Sequence, residues 1–418
     1  MFIKSKLNLN FYLKILIYAF LLSIFSYVYY FSLNNIINYW TYSEIHINYN
    51  LGFTKRGFLG TIMLYLEENG LEKNIFFSTL FYIFNLLNIL LFLKLLNRYN
   101  DDKILLFAFF ALNPALLLFS FYDLGGYARF EIFGIFACLL HAYFLQNLNN
   151  NKLRYIDYLK YIFLIISPIS FLSVLIQELN ILFFSFHFFS FLYVVYLHKF
   201  QYIFKFKFII FANFIIFISI IYLLFLYPFT KEFAVELYNN LPNKNGTSFW
   251  IWDSISTSIN DRLNIEIYEM LNPKGAIQLY FLIFLFFLLP ISIILHLTTY
   301  QNKSGFYIAV LSVAPFLTLF FIGRDWGRWI HIILFLIFLS YIQFNEKKIN
   351  LFKSFFEKVV LSIFIILVLF QFTFTRIPHC CNLVRLNLDM YGGILPKIAV
   401  FSKIINNKID IEKRFKSF

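Results

Sequence analysis

The feature that most limits what this chain can become is a repetition of apolar runs long enough to cross a membrane. Residues 11–31, 75–96 and 206–229 are such runs; a helix rises about 1.5 Å per residue, so roughly 20 apolar residues traverse a ~30 Å hydrocarbon layer. Further runs at 104–121, 128–146, 160–176, 181–198, 277–297, 306–322, 329–344 and 357–375 bring the expectation to about eleven spans, within a range of 10–12. Residues 390–406 form a weaker stretch, with Gly392, Gly393, Pro396, Lys397 and Lys403, that reads as a twelfth span or a helix lying in the interface. The expected fold is therefore an all-α polytopic membrane protein, with residues 1–376 as one transmembrane domain and 377–418 as a C-terminal tail. Composition agrees: 61% of the 418 residues are hydrophobic and only 14% charged, against roughly 45–50% apolar and 25% charged in soluble domains. The first run follows Lys4 and Lys6 but has no small-x-small cleavage pattern, so it reads as a retained helix. Cys138, Cys380 and Cys381 supply neither a disulfide framework nor metal-ligand spacing.

Orientation follows from where the cations fall. With the N-terminus cytoplasmic, the inner flanks up to Lys358 hold 17 Lys and Arg, and the outer segments up to Arg328 hold 10 although they include two long loops, 32–74 and 230–276. This is the positive-inside pattern. All five tryptophans, Trp40, Trp250, Trp252, Trp326 and Trp329, fall on the outer side under the same assignment. The net charge of +13 is thus mostly topological, and the concentrated soluble basic face that nucleic-acid binding needs is absent.

Polar chemistry gathers at the outer turns. Gly323-Arg324-Asp325-Trp326-Gly327-Arg328-Trp329 places two guanidiniums, a carboxylate and two indoles between apolar spans, an expensive arrangement that marks a functional surface by default. The forks of Arg324 and Arg328 suit the oxygens of a diphosphate, Asp325 would orient one of them, and the indoles would face a sugar ring or lipid. A local ion pair at an interfacial anchor is the plainer alternative. Asp123 and Arg129 flank a Gly-Gly turn, with Glu131 placed where a helix N-terminus favours a carboxylate on its own account. Gln177-Glu178-Leu179-Asn180 joins two apolar runs by so short a connector that a tight hairpin or broken helix is expected; Glu178 there would accept a proton from a hydroxyl or neutralise Arg56 or Arg328. Lys55-Arg56-Gly57-Phe58-Leu59-Gly60 opens a segment too short to span, with Arg56 as a phosphate clamp or a charged stop, and Gly57 and Gly60 one turn apart for close packing. His331 lies two residues beyond Trp329 and would join the site, whereas His141 and His187 read as intramembrane polar contacts. In the long second loop, amphipathic stretches near 231–240 and 252–270 would form a cap, with Trp250 and Trp252 available to a glycan or lipid. No metal or cofactor motif is present in the sequence.

The Lys-Arg-Gly-Phe-Leu-Gly segment, the Gln-Glu pair after an apolar span and the later Arg-Asp-Trp-Gly-Arg-Trp sequence together resemble bacterial surface-polysaccharide polymerases of the Wzy or EpsG-like type. The likeness extends over the many spans and large outer loops. It implies a glycosyltransferase-C-like helical architecture in the bacterial inner membrane and polymerisation of undecaprenyl-diphosphate-linked oligosaccharides at its outer face, with a flippase and a chain-length regulator as partners. Such sequences carry His-Glu where this chain has Gln177-Glu178, which moves the proton-transfer role toward Glu178, with Asp325 and Asp123 in reserve. The diphosphate would be held by Arg56, Arg324 and Arg328, with Arg129 near the same cavity. Two other readings suit the same residues: a transferase that adds a single sugar from a lipid phosphate, and a transporter of lipid-linked oligosaccharides.

Overall fold

The computed structural model describes residues 2–34, 39–97, 104–113, 115–119, 128–198, 202–241, 244, 247–257, 261, 264, 276–299, 303–322 and 325–343. Regular structure among them is helical: α1 (Phe2–Asn34), α2 (Tyr39–Glu44), α3 (Gly57–Glu68), α4 (Lys73–Leu96), α5 (Ile104–Ala111), α6 (Glu131–Asn149), α7 (Tyr155–Ile176) and α8 (Glu178–Leu197). After these come α9 (Lys207–Leu226), α10 (Lys231–Asn239), α11 (Phe249–Ser256), α12 (Ala276–Thr299), α13 (Lys303–Leu317), α14 (Leu319–Ile322) and α15 (Trp326–Ile342). Seven helical stretches among the described residues are long and apolar enough to cross a bilayer, and Tyr280–Ser292 and Trp326–Ile342 are shorter apolar helices. The protein is thus a multi-span helical membrane protein. The expected spans at 357–375 and 390–406 lie outside the described residues.

Helix α15 is the axis of the bundle. Nearly every side chain from Trp326 to Ile342 is buried, as expected for a helix apolar on all faces, and it packs against α6, α12 and α13. Phe92 of α4 meets the rings of Phe335 and Phe338, and Phe110 of α5 meets Phe338. At the opposite extreme, α9 turns Phe208, Phe211, Phe214 and Tyr222 outward. Such a surface would aggregate in water and is ordinary against lipid.

Three local breaks shape the bundle. The run 104–121 was expected as one span, but α5 stops at Ala111. Asn113 precedes Pro114, which disfavours a helical conformation at Asn113, and its side-chain carbonyl accepts the Ala115 N–H at 2.8 Å. Within α7, residues Ile162–Ile166 form a π-helical turn. Between α7 and α8 a single extended residue, Gln177, makes the reversal, the tight connection that the sequence called for. Asn180 secures it by donating to Ser173 O at 2.9 Å and to Phe130 O at 3.2 Å, which ties the start of α8 to the start of α6.

The glycines of α3 work as expected in kind but against a different partner: they admit the irregular segment 45–49 rather than another helix. A Cβ on Gly60 would stand 1.8 Å from Ile47 O, and one on Gly57 would meet the Tyr49 ring at 2.2 Å. Gly60→Ala is expected to cost about 2 kcal/mol or more, since backbone must move to admit the methyl. Thermal unfolding of the detergent-solubilised variant checks this.

Below the connector lies a buried polar chain. His141 Nε2 meets Tyr158 Oη at 2.8 Å, His141 Nδ1 meets His187 Nδ1 at 3.0 Å, and His187 Nε2 meets Ser170 Oγ at 3.3 Å. Ser170 in turn donates to Ile166 O at 2.8 Å, so one direction of donation satisfies every member. The chain joins α6, α7 and α8 beside the π-helical turn. His187→Leu is expected to destabilise the bundle by roughly 1–2 kcal/mol, and the His141→Leu/His187→Leu double variant should cost less than the sum of the singles, as read by thermal unfolding.

Candidate functional site

Three helices of eight residues or more, α3, α6 and α15, begin at one end of the bundle, and the start of α8 lies beside them. Their N-termini present unpaired N–H groups and a positive dipole end, which favours negative charge there. Glu131 opens α6, Glu178 opens α8 and Asp325 precedes α15. The plain electrostatic account of Glu131 given by the sequence therefore holds, although it is only part of the arrangement.

Arg56 is the centre of one half. Its Nε donates to Glu178 Oε2 at 2.8 Å and its Nη2 to Glu178 Oε1 at 2.6 Å, a bidentate fork across 122 residues of chain, while Nη1 donates to Glu44 Oε1 at 2.6 Å. Lys55 Nζ adds a looser contact to Glu178 Oε1 at 3.8 Å. The backbone of Arg56 is left-handed, with φ of 67°, a conformation that costs a non-glycine residue on the order of 1 kcal/mol or more and persists where surroundings enforce it. Here three charge-assisted hydrogen bonds enforce it. Of the two roles that the sequence offered Glu178, neutralising Arg56 is the one the geometry displays.

Glu44 is the residue that sequence reasoning missed. It sits at the end of the two-turn helix α2, buried, accepting from the Trp40 indole N–H as well as from Arg56. Burial pushes its carboxyl above the usual range despite the opposing pull of the Arg56 and Arg129 guanidiniums. Burial likewise works against the charge on Arg56, but Glu178 and Glu44, helped by Glu131, outweigh it and raise its pKa.

Arg328 is the centre of the other half. Nη2 lies 2.7 Å from Asp325 Oδ2 and Nη1 lies 3.1 Å from Glu131 Oε1, and the guanidinium sits over the Trp329 ring at 4.3 Å. The halves are electrostatically joined: Arg328 interacts with Glu44 and Arg56, and Arg56 with Glu131. Lys55, Arg56, Arg129 and Arg328 thus face Glu44, Glu131, Glu178 and Asp325, four cations against four carboxylates among the described residues. Polar atoms of both kinds are left over: Arg328 Nε and Trp329 Nε1 are buried and meet no hydrogen-bond acceptor among the described residues, and the Glu131 oxygens, one of them ion-paired to Arg328, accept no hydrogen bond there.

The remaining expected residues fall differently. Asp123 and Arg324 lie outside the described residues. His331 is not part of the cluster: its Nδ1 meets Ala115 O at 2.8 Å and its ring stacks on Phe119, because one side of α15 faces the turn after α5. Trp326 is buried, donating to Phe320 O and set edge-on to Tyr280. Trp329 is buried beneath Arg328. Trp252 is fully buried in the core of the cap that α10 and α11 make with Ile47, Phe229 and Leu237, and donates to Ser43 O at 2.8 Å. These three indoles offer no open face to a sugar. Trp250 does, being 63% exposed beside Trp40. No group of three or more His, Cys, Asp or Glu side chains suited to a metal occurs among the described residues.

No known protein family, curated protein or solved structure matches this chain. What the site defines, then, rests on its own geometry: a buried, charge-balanced cluster of guanidinium and carboxylate groups at the helix ends of a membrane bundle.

Proposed function

We propose that the protein is a membrane glycosyltransferase that polymerises undecaprenyl-diphosphate-linked oligosaccharides at the outer face of the bacterial inner membrane. The observation that carries this reading is the convergence of Arg56, Arg129 and Arg328 with Glu44, Glu131, Glu178 and Asp325, joined from distant stretches of chain. The leftover donors on Arg328 and Trp329 are what an additional acceptor-rich ligand would use. Guanidinium forks match phosphate oxygens and would stabilise charge developing on a departing diphosphate, while a carboxylate, Glu178 first and Asp325 in reserve, would accept the proton of the attacking sugar hydroxyl. Trp250 on the cap is the exposed ring available to a glycan. In this reading the N-terminus is cytoplasmic, the cluster faces the periplasm, the chain has about eleven spans in a glycosyltransferase-C-like arrangement, and a flippase and chain-length regulator act beside it. The asymmetry of Lys and Arg along the sequence supports that orientation.

The deciding experiment reconstitutes the purified protein in vesicles with purified lipid-linked repeat units and follows glycan length together with released undecaprenyl diphosphate. Growth of long chains with stoichiometric diphosphate release is the expected result. Addition of one unit alone would make it a single-step transferase. Movement of substrate between leaflets without a new glycosidic bond would replace the enzyme reading by transport, for which ion pairs made between separate helices would serve as a gate.

A further inference from the structure

Arg56 is already engaged through all three nitrogens: each donates to a carboxylate oxygen of Glu44 or Glu178, three of the five N–H groups of the guanidinium. Glu178 is committed too, since both its oxygens receive Arg56 donors and Lys55 approaches one of them. A hydroxyl cannot readily deliver its proton to a carboxylate whose two syn positions are filled by a guanidinium fork. The Arg56 fork that should hold a diphosphate and the base that should act on its acceptor are therefore paired with each other. The four-against-four charge balance poses the same problem, because an anionic ligand entering a neutral cluster must take cations from carboxylates already using them.

Exposure shows where the exchange can begin. Lys55 and Glu178 are 24% and 22% exposed, whereas the Arg56 and Glu44 side chains are 9% and 4% exposed. An anion arriving from outside the cluster meets the Lys55–Glu178 edge first. A phosphate presents the same pair of oxygens to the Arg56 fork that Glu178 presents, and Glu44 keeps Arg56 in place while the partner changes.

Resting on the proposed function, we infer that the Arg56–Glu178 pair is a latch released by the donor: a diphosphate takes Lys55 and Arg56 from Glu178 and so frees Glu178 to accept the acceptor's proton. In the step that follows, the acceptor oxygen forms its bond to the donor's anomeric carbon and its proton passes to Glu178. The anomeric carbon–phosphate oxygen bond breaks, and its electron pair leaves with the diphosphate. Glu178 later returns the proton to water and relatches on Arg56. Glu178 touches the reacting hydroxyl, whereas Arg56 has a double duty, holding the base before donor binding and the diphosphate after it.

The test measures binding without turnover, using inorganic pyrophosphate and, in a separate arm, undecaprenyl diphosphate in nanodiscs, so that a free anion and a lipid headgroup are distinguished. Glu178→Gln keeps a side chain that can accept from Arg56 but removes the charged competitor, so it should bind either probe about tenfold more tightly than wild type. Infrared difference spectra of the wild type on adding probe should show a shifted carboxylate band, a measurement that needs no variant, and a folded Glu178→Gln protein should lack it. A purely structural ion pair predicts neither change. Binding of undecaprenyl diphosphate with unchanged or weaker affinity in Glu178→Gln, and no carboxylate shift, overturns the latch and leaves the polymerase reading standing. Failure of the wild type to bind either probe overturns both. Effects seen with the lipid probe alone support the latch and assign it to the headgroup.

Discussion

Under the proposed function, Arg328→Ala is expected to cut chain growth by a factor of about 10²–10³ or more, its guanidinium being the group that would stabilise the leaving diphosphate, while the protein still inserts and folds as a bundle. The structure explains why this side chain should have so large an effect. It stands in a helix buried over nearly all its length, it divides its forks between Asp325 and Glu131, and it retains a buried Nε without an acceptor among the described residues. Arg328→Lys is expected to recover only part of the loss, because a single ammonium cannot span Asp325, Glu131 and a phosphate at once or stack flat on Trp329. Reconstituted polymerisation, scored by glycan length and diphosphate release, checks both variants. Near-normal turnover in Arg328→Ala removes the residue from the chemistry.

The largest expected effect on stability belongs to Arg56→Leu. It strands Glu44 and Glu178 together without their principal cation, and breaking one side of a buried ionic network typically costs about 3–5 kcal/mol. The left-handed backbone at residue 56 would also lose the hydrogen bonds that hold it. Adding Glu44→Gln and Glu178→Gln to Arg56→Leu should return a substantial part of that loss, since neutral amides tolerate burial far better than unpaired carboxylates. Thermal unfolding of the single and triple variants measures the recovery. Equal stability of the two would mean that the carboxylates are not what makes Arg56 necessary.

Much of the architecture was legible because the bilayer allows only a short list of backbone solutions. Apolar runs of sufficient length must be helices, and α4, α6 and α8 lie within a few residues of the stretches read from sequence. Arg56, Glu178 and Arg328 stood out for a related reason: charges beside apolar runs have few places to go. The pairing itself was only one of several alternatives, because nothing in local spacing says which guanidinium a carboxylate will meet 122 residues away. Glu44 was invisible. It belongs to a short polar-aromatic stretch whose helix is positioned by tertiary contact, with Trp252 donating to Ser43 O and the Ser248 N–H to Ser43 Oγ. The reverse error befell Trp252, Trp326 and Trp329. An indole near a membrane boundary reads as a surface feature, yet its size also makes it the natural filler of a core, and the choice depends on neighbours distant in sequence.

The cap gives those two hydrogen bonds to Ser43 a mechanical meaning. Trp252 grips the backbone carbonyl and Ser248 the side-chain hydroxyl of Ser43, one residue before Glu44, and Glu44 grips Arg56. A push on α10 and α11 would therefore be felt across a single peptide unit by the carboxylate that anchors the central guanidinium. The cap is then a handle on the cluster: any movement of α10 and α11 that shifts Ser43 would shift Glu44 with it, without anything entering the cluster itself.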